Sequence, residues 1–367
     1  MLLALSGGVD SSTAATLLLD QGHDVTGVFL RTGVEAGPRA ATGRQGCCSA
    51  TDSADAARVA DVLGIPFYAL DFADGFDAIV RDFADAYAEG RTPNPCVACN
   101  RDLKFGRLMQ FADALGADAV ATGHYASIEA RDGRYALRIP ADRAKDQTYV
   151  LFPLSQDQLR RTVFPLAGMT KDEVRRRAAE RGLPVADKPE SMEICFVPGG
   201  DYRAVVAGRR PDALREGEIV DERTGAVIGR HSGVGSVTIG QRRGVGIALS
   251  EPVYVTSIDA VSNRVLVGGA DGLLRRGVVV DGWNGVSVAA PGPGETLRGR
   301  AKIRRNHEPA AATVECRVGD EGTPRGGRRV HVRFDEPVRS PAPGQALVVY
   351  DGDGRVLGGG WISATSA

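Results

Sequence analysis

The chain has no apolar run approaching the roughly 20 residues of a membrane-spanning helix, which excludes an ordinary helical span. The opening MLLALSGGVD is apolar, but no basic residue precedes it and it runs straight into glycines. It reads as a first strand and not as a secretory leader, although Met1 stands so close to the first motif that a few residues are expected upstream. Without a leader, the six cysteines belong in a reducing compartment, and a cytoplasmic location with no membrane partner is expected. There, C-x-x-C is more often metal-binding or catalytic than a structural bridge. Lysine is scarce, five of 45 cations. No fixed-period repeat is present. Net charge is nearly absent too, at −1, which argues neither for nor against nucleic acid. Its distribution says more. Residues 1–200 carry 22 Lys and Arg against 27 Asp and Glu, and residues 201–367 carry 23 against 19. The clusters GQRRG, KIRRNH and GGRRVHVRF in the second half fit either a solvated surface or a phosphate-binding face.

What is present is a soluble globular composition, 43% hydrophobic and 25% charged, in 367 residues, too many for one ordinary core. The first half alternates β and α patterns. Residues 2–5 form an apolar run, SSTAATLLLDQG has helical spacing, HDVTGVFL reads as a strand, and TDSADAARVADVLG as a helix. IPFYALDF, FDAIVRDFADAYAEG, DLKFGRLMQFADALG and ADAVATGHYA continue as strand, helix, helix and strand. This rhythm predicts an α/β fold: a Rossmann-like parallel sheet with helices on both faces, with ligands beyond the C-terminal strand ends. Thr170 and Glu173 are spaced as a capping box ahead of a further helix. From about residue 201 short β-rich runs alternate with turns, and no long helical pattern returns. The expected domains are 1–200, a small β-containing middle over 201–265, and a C-terminal β-barrel over 266–367.

The most specific motif is LALSGGVDSS, a strand, a Gly-Ser loop and a helix start. Glycines let backbone approach an anion, and a helix N-terminus offers N–H groups and a positive dipole end. No lysine follows the glycines to reach a transferred γ-phosphate, so this is not the G-x-x-x-x-G-K-[ST] loop, and the geometry suits a pyrophosphate. SGGVDSS resembles the loop of the N-type ATP pyrophosphatases, enzymes that activate a substrate oxygen with AMP.

TPNPCVACN places Cys96 and Cys99 three apart in a loop bracketed by prolines. A metal knuckle, a disulfide and a reactive thiol all fit that spacing. A structural zinc site wants four ligands, and no second C-x-x-C or suitable His pair supplies them. Together GRTPNPCVACNRDLKF, ATGHYA, KDQTYVLFPLS, SMEICFV, GQRRGVGI and PGQALVVYDGDGRVLGGG resemble the bacterial tRNA-specific 2-thiouridylases, which put sulfur on C2 of the wobble uridine. The resemblance runs from Leu2 to about Trp361.

That resemblance implies an ATP-binding catalytic domain, a small central domain and a C-terminal β-barrel. It implies adenylation of the uridine O2 and sulfur transfer from a persulfide on Cys195, with Cys99 as the partner nucleophile 96 residues away. Ala4, Leu5, Ser6, Gly7, Gly8, Val9, Asp10 and Ser11 would line ATP, carried with Mg2+. Leu30 would lie beside the adenine and Gly123 near the nucleotide. Asn94, Pro95 and Cys96 would face the target base. His124, Lys145, Asp146, Gln147, Arg304, Arg305 and Gln345 would meet tRNA, and a satisfied structural histidine is the alternative at 124. The partners implied are the tRNAs for Lys, Glu and Gln and a cysteine desulfurase or sulfur-relay protein. Two positions depart from the family pattern. Many members have Asp where Cys96 stands, and often an aromatic where Arg305 stands. Three sulfurs, Cys96, Cys99 and Cys195, open a second route, a [4Fe–4S] cluster with one iron left to carry sulfide. Cys47 and Cys48 are expected to be structural or incidental, and Cys316 to be core. Two rival functions remain: another adenylating synthetase of the same loop class acting on a small molecule, and a non-enzymatic RNA-binding protein with a metal knuckle.

Overall fold

The computed structural model describes residues 1–33, 50–190, 194–247, 251–320, 323 and 326–366. Cys47 and Cys48, and residues 191–193 of the SMEICF motif, lie outside them. The chain divides into two compact units. One is Met1–Ile79, Cys96–Gly200 and Gly354–Val356; the other is Val80–Pro95, Asp201–Asp353 and Leu357–Ala367.

The first unit carries the α/β alternation. In order come β1 (Leu2–Ala4), α1 (Val9–Asp20), β2 (Thr26–Arg31), α2 (Ala50–Leu63), β3 (Phe67–Asp71) and α3 (Ala73–Ala88). Then come α4 (Pro95–Ala98), a π-helical stretch Cys99–Arg107, α5 (Leu108–Ala114), β4 (Val120–Thr122), β5 (Ser127–Arg131) and β6 (Arg134–Arg138). Last are α6 (Thr148–Leu151), α7 (Gln156–Arg160), β7 (Thr162–Val163) and α8 (Lys171–Glu180). The sheet is wholly parallel, ordered β3-β2-β1-β4-β7. β1 and β4 are fully buried because a parallel sheet is covered on both faces, which explains their unbroken apolar sequence. Leu3, Leu5, Val9, Ala14, Leu18, Phe29 and Val174 share one core. Strand order reverses between β1 and β4, so the loops after these two strands border the switch point where such sheets take ligands.

The capping box forms as expected. The Thr170 backbone N–H donates to Glu173 Oε2 at 2.7 Å, and the Glu173 N–H donates to Thr170 Oγ1. Thr170→Ala is expected to destabilise the first unit by about 1 kcal/mol, read as a lower urea midpoint at unchanged slope.

The expected cysteine loop is not a loop. Pro95 is the first residue of α4, and helix runs on through Cys99 to Ala114. Proline suits a first helical position because its missing N–H would have no partner there. Cys96 therefore lies on α4, and Cys99 opens the π-helical stretch. Gln158 Nε2 donates to the Phe105 carbonyl at 2.7 Å within that stretch.

The second unit includes a helix the sequence did not signal, α9 (Tyr202–Arg209). Tyr202 stacks on Tyr87 with ring centroids 4.2 Å apart, and Arg210 pairs with Asp85 at 2.7 Å. β8 (Gly217–Asp221), β9 (Val227–His231), β10 (Tyr254–Asp259) and β11 (Arg264–Gly268) form a sheet ordered β10-β11-β8-β9. β12 (Leu274–Gly285), β13 (Thr296–Lys302), β14 (Ala310–Glu315), β15 (Arg328–Arg339), β16 (Ala346–Tyr350) and β17 (Val356–Ser366) close into a barrel. Alternate apolar positions fill it, including Val280, Val314, Val332, Phe334 and Ile362. Cys316 is fully buried in that core, as expected.

Candidate functional site

The Gly-Ser loop spans residues 6–8, between β1 and α1. Ser11 Oγ accepts from the Ser6 N–H at 3.1 Å, lies 3.0 Å from Ser6 Oγ, and donates to the Gly8 carbonyl at 3.1 Å. Ser12 Oγ donates to the same carbonyl at 2.8 Å. These serines hold the loop's shape. No side chain caps α1 at Gly8, which leaves its positive end for an anion. Gly7 has φ +69°, and a Cβ there would lie 2.2 Å from the Asp52 carbonyl oxygen of α2. Gly123, after β4, is equally constrained: a Cβ would lie 2.6 Å from the Ser11 nitrogen. The loop after β4 thus meets the first turn of α1 backbone to backbone. Leu30, half-buried at the end of β2, lies one strand over from β1.

Asp10, in the first turn of α1, is the centre of a charged network. The Tyr125 hydroxyl donates to Asp10 Oδ1 at 2.8 Å, and Lys171 Nζ donates to both its oxygens at 2.7 and 2.9 Å. Lys171 also pairs with Glu190 at 2.8 Å, and Lys145 Nζ donates to both Glu190 oxygens at 3.0 and 2.8 Å. Burial opposes the Glu190 charge, but hydrogen bonds from Lys145 and Lys171 outweigh it and hold the carboxyl down at about 2. Burial and the Asp10 charge push the Tyr125 phenol up, so it stays a donor. Below the loop, Lys188 Nζ donates to the Gly7 carbonyl at 2.9 Å and to Asp52 at 2.7 Å, and also pairs with Asp55. Burial works against the Lys188 ammonium, but its bonds to Asp52 and Asp55 win and raise its pKa.

Sequence reasoning missed Lys171, Lys188, Glu190 and Tyr125. The available signal was lysine scarcity: Lys145, Lys171 and Lys188, three of only five lysines, surround one loop. A compact ammonium with three donors fits several acceptors at once, which the planar arginine fork does less well.

The cysteine segments share a wall. Phe196, next to Cys195, packs edge-on against Phe76 of α3 with centroids 5.6 Å apart. A Cβ on the adjoining Gly75 would lie 2.8 Å from Leu103, one turn beyond Cys99. The first turn of α3 thus receives both segments. Cys96 is exposed, and Cys99 and Cys195 are half-buried. Among the described residues no group of three or more His, Cys, Asp or Glu side chains is placed to hold a metal ion.

His124 is buried, with Nδ1 2.7 Å from Thr122 Oγ1 and its ring packed near Phe105 and Phe164. Asp146 accepts from the Thr148 N–H at 2.9 Å and from its hydroxyl at 2.6 Å, fixing the entry to α6. Gln147 Oε1 accepts from the Tyr125 N–H at 2.8 Å. In the second unit, Gln345 Nε2 donates to the Thr92 and Pro93 carbonyls at 3.1 and 3.3 Å, ahead of the half-buried Asn94 and buried Pro95. Arg304 and Arg305 are both exposed beyond β13, and Arg304 donates to the Arg339 carbonyl at 3.1 Å.

Three family models match: a tRNA methyl transferase HUP domain over residues 1–199, a tRNA methyl transferase PRC-barrel domain over 204–269, and an aminomethyltransferase beta-barrel domain over 276–362. The tRNA-specific 2-thiouridylase MnmA of Geotalea uraniireducens is 47% identical over 370 residues, covering 99% of this chain and 94% of that protein. The chain belongs to the tRNA-specific 2-thiouridylase family. The Geobacter metallireducens thiouridylase is 48% identical, covering 99% of this chain and 96% of its own, and the Moorella thermoacetica one 46%, covering 100% and 99%. The match of this thiouridylase-family chain to its relatives spans both units.

Proposed function

We propose that the chain is an ATP-dependent tRNA-uridine 2-sulfurtransferase acting at C2 of the wobble uridine. The observation that carries the reading is the first unit's combination of a switch-point Gly-Ser loop with two cysteine segments packed on one turn of α3. ATP would enter with its Mg2+ on the phosphates, lined by Ala4 to Ser11, with Leu30 and Gly123 at its sides. A uridine carbonyl oxygen is a poor leaving group. Attack of O2 on the α-phosphorus would attach AMP and release pyrophosphate into the loop.

The terminal sulfur of a Cys195 persulfide would then attack C2 and expel AMP. The Cys99 thiolate would attack the Cys195 sulfur, break the S–S bond and leave the thiocarbonyl on the RNA. A Cys99–Cys195 disulfide would remain for a cellular dithiol to reduce. These steps use two cysteines, and a cluster held by Cys96, Cys99 and Cys195 would be the alternative carrier of the same sulfur. Asn94, Pro95 and Cys96 would face a base splayed from the anticodon stack, with Arg304, Arg305 and Gln345 along the RNA. His124, Lys145, Asp146 and Gln147 would meet the tRNA as well. The tRNAs for Lys, Glu and Gln are the proposed substrates, and a cysteine desulfurase or relay protein the sulfur donor. This work is cytoplasmic. The division at 1–200, 201–265 and 266–367 belongs to the same proposal. Among the described residues no helix is long and apolar enough to cross a membrane.

The test supplies the full chain with unmodified tRNA, MgATP and a persulfide donor. AMP and pyrophosphate release that depends on tRNA, together with 2-thiouridine in the digested RNA, is the expected result. Release without tRNA dependence would point to a small-molecule synthetase. RNA binding without ATP consumption would point to a passive RNA-binding protein. A methyl gain in place of the oxygen-to-sulfur exchange would point to the chemistry named by the family models.

A further inference from the structure

Two arms of hydrogen bonds run from the Lys-Asp-Gln triplet to Asp10. In one, Lys145 binds both oxygens of Glu190, Glu190 binds Lys171, and Lys171 binds both oxygens of Asp10. In the other, Gln147 Oε1 accepts from the Tyr125 N–H while the Gln147 N–H donates back to the Tyr125 carbonyl at 3.1 Å, and the Tyr125 hydroxyl donates to Asp10. Lys171 Nζ lies 5.9 Å from the Tyr125 ring, so the arms also touch each other. Asp10 lies in the first turn of the helix that would receive the pyrophosphate.

We propose that Lys145 and Gln147 are positioning residues for the nucleotide loop, holding Asp10 through Glu190–Lys171 and through Tyr125, so that the triplet expected to meet tRNA also sets ATP affinity. This rests on the ATP and tRNA reading above.

The charge order along the first arm is plus, minus, plus, minus. In a half-buried site, removing one member leaves its neighbour uncompensated. Without Lys145, Glu190 has one cation in place of two and draws Lys171 away from Asp10. Asp10 then turns a less neutralised carboxylate toward an incoming triphosphate. The depressed Glu190 carboxyl fits this, since two lysines hold its charge against burial. By reciprocity, any RNA contact that pulls on Lys145 alters ATP binding by the same factor as ATP alters RNA binding.

The experiment measures equilibrium ATP binding to the full chain with no RNA present. Lys145→Gln is expected to weaken binding roughly tenfold, and Lys145→Arg to stay within about twofold of wild type. Adding Glu190→Gln to Lys145→Gln removes the competing carboxylate, returns Lys171 to Asp10 and is expected to recover most of the loss. Wild-type affinity for Lys145→Gln, with weakened tRNA binding, would overturn the proposal and leave the thiolation reading standing. Failure of the unsubstituted protein to bind ATP would overturn both. If Lys145→Gln does not fold, Gln147→Ala decides through the other arm: weakened ATP binding without RNA supports the proposal, and wild-type affinity overturns it.

Discussion

Replacing Cys195 by serine is expected to lower sulfur transfer to tRNA by on the order of 10³-fold or more, while tRNA-dependent pyrophosphate release continues for at least one turnover. A hydroxyl cannot carry a persulfide, but it fills the same half-buried volume beside Phe196. Adenylation uses the loop after β1, not the cysteine, so the two half-reactions should separate. Cys99→Ser should fail one step later. Sulfur would reach C2, nothing would break the S–S link, and tRNA would stay attached to Cys195 until a reductant released it. A denaturing gel with and without dithiothreitol reads that adduct. Cys96→Ser tests the third sulfur. Cys96 is exposed on α4, and a two-cysteine relay needs no thiol there, so its loss should cost less than about tenfold. Full thiolation by Cys195→Ser in cells with no second copy of the gene would end the relay reading, and loss of all activity in Cys96→Ser would favour the three-sulfur one.

The parts of this site that a reader of the sequence could see are those written in adjacent residues. The strand, glycines, serines and helix of LALSGGVDSS are contiguous, and the Thr170 to Glu173 box closes over three residues, so local rules reach both. The Asp10 network is different in kind. Lys171 stands 161 residues from Asp10, and Lys188 stands 181 residues from Gly7. No periodicity links them; only the parallel sheet folds α8 back against α1. Their scarcity as lysines in an arginine-dominated chain was the one local trace. The cysteine segment was misread for a physical reason as well. Prolines beside a C-x-x-C suggest a loop, yet Pro95 occupies the one helical position where proline costs nothing. The π-helical widening after it has no sequence signature. In the second half, alternating short runs and turns forecast β-structure, and closure of six strands into a barrel followed the forecast. The eight-residue α9 is too short to raise a clear helical period.

Gly7→Ala and Gly8→Ala should fail in opposite ways, and the contrast tests what each glycine is for. At Gly7 the backbone has φ +69°, a left-handed conformation that costs an alanine about 1–2 kcal/mol. A Cβ would also lie 2.2 Å from the Asp52 carbonyl oxygen and 3.1 Å from the Ala56 nitrogen. Both are backbone atoms of α2, which cannot swing aside as a side chain can. Lys188 also resists a shift of the loop, because it ties the Gly7 carbonyl to Asp52. Gly7→Ala should therefore destabilise the first unit by roughly 3 kcal/mol or more, visible as a lower urea midpoint, and ATP binding should vanish with the loop's shape. Gly8 has φ −101°, which alanine adopts freely, and among the described residues its Cβ would meet only Ser6 Oγ, at 3.5 Å. Gly8→Ala should fold with near-normal stability. Its bare α-carbon faces the uncapped start of α1, where an anion would need the backbone close, so ATP affinity should still fall by about tenfold or more. Normal stability in Gly7→Ala would refute the packing argument. Normal ATP affinity in Gly8→Ala would show that the phosphates do not approach the loop from that side, and the pyrophosphate would have to be placed against the lysines instead.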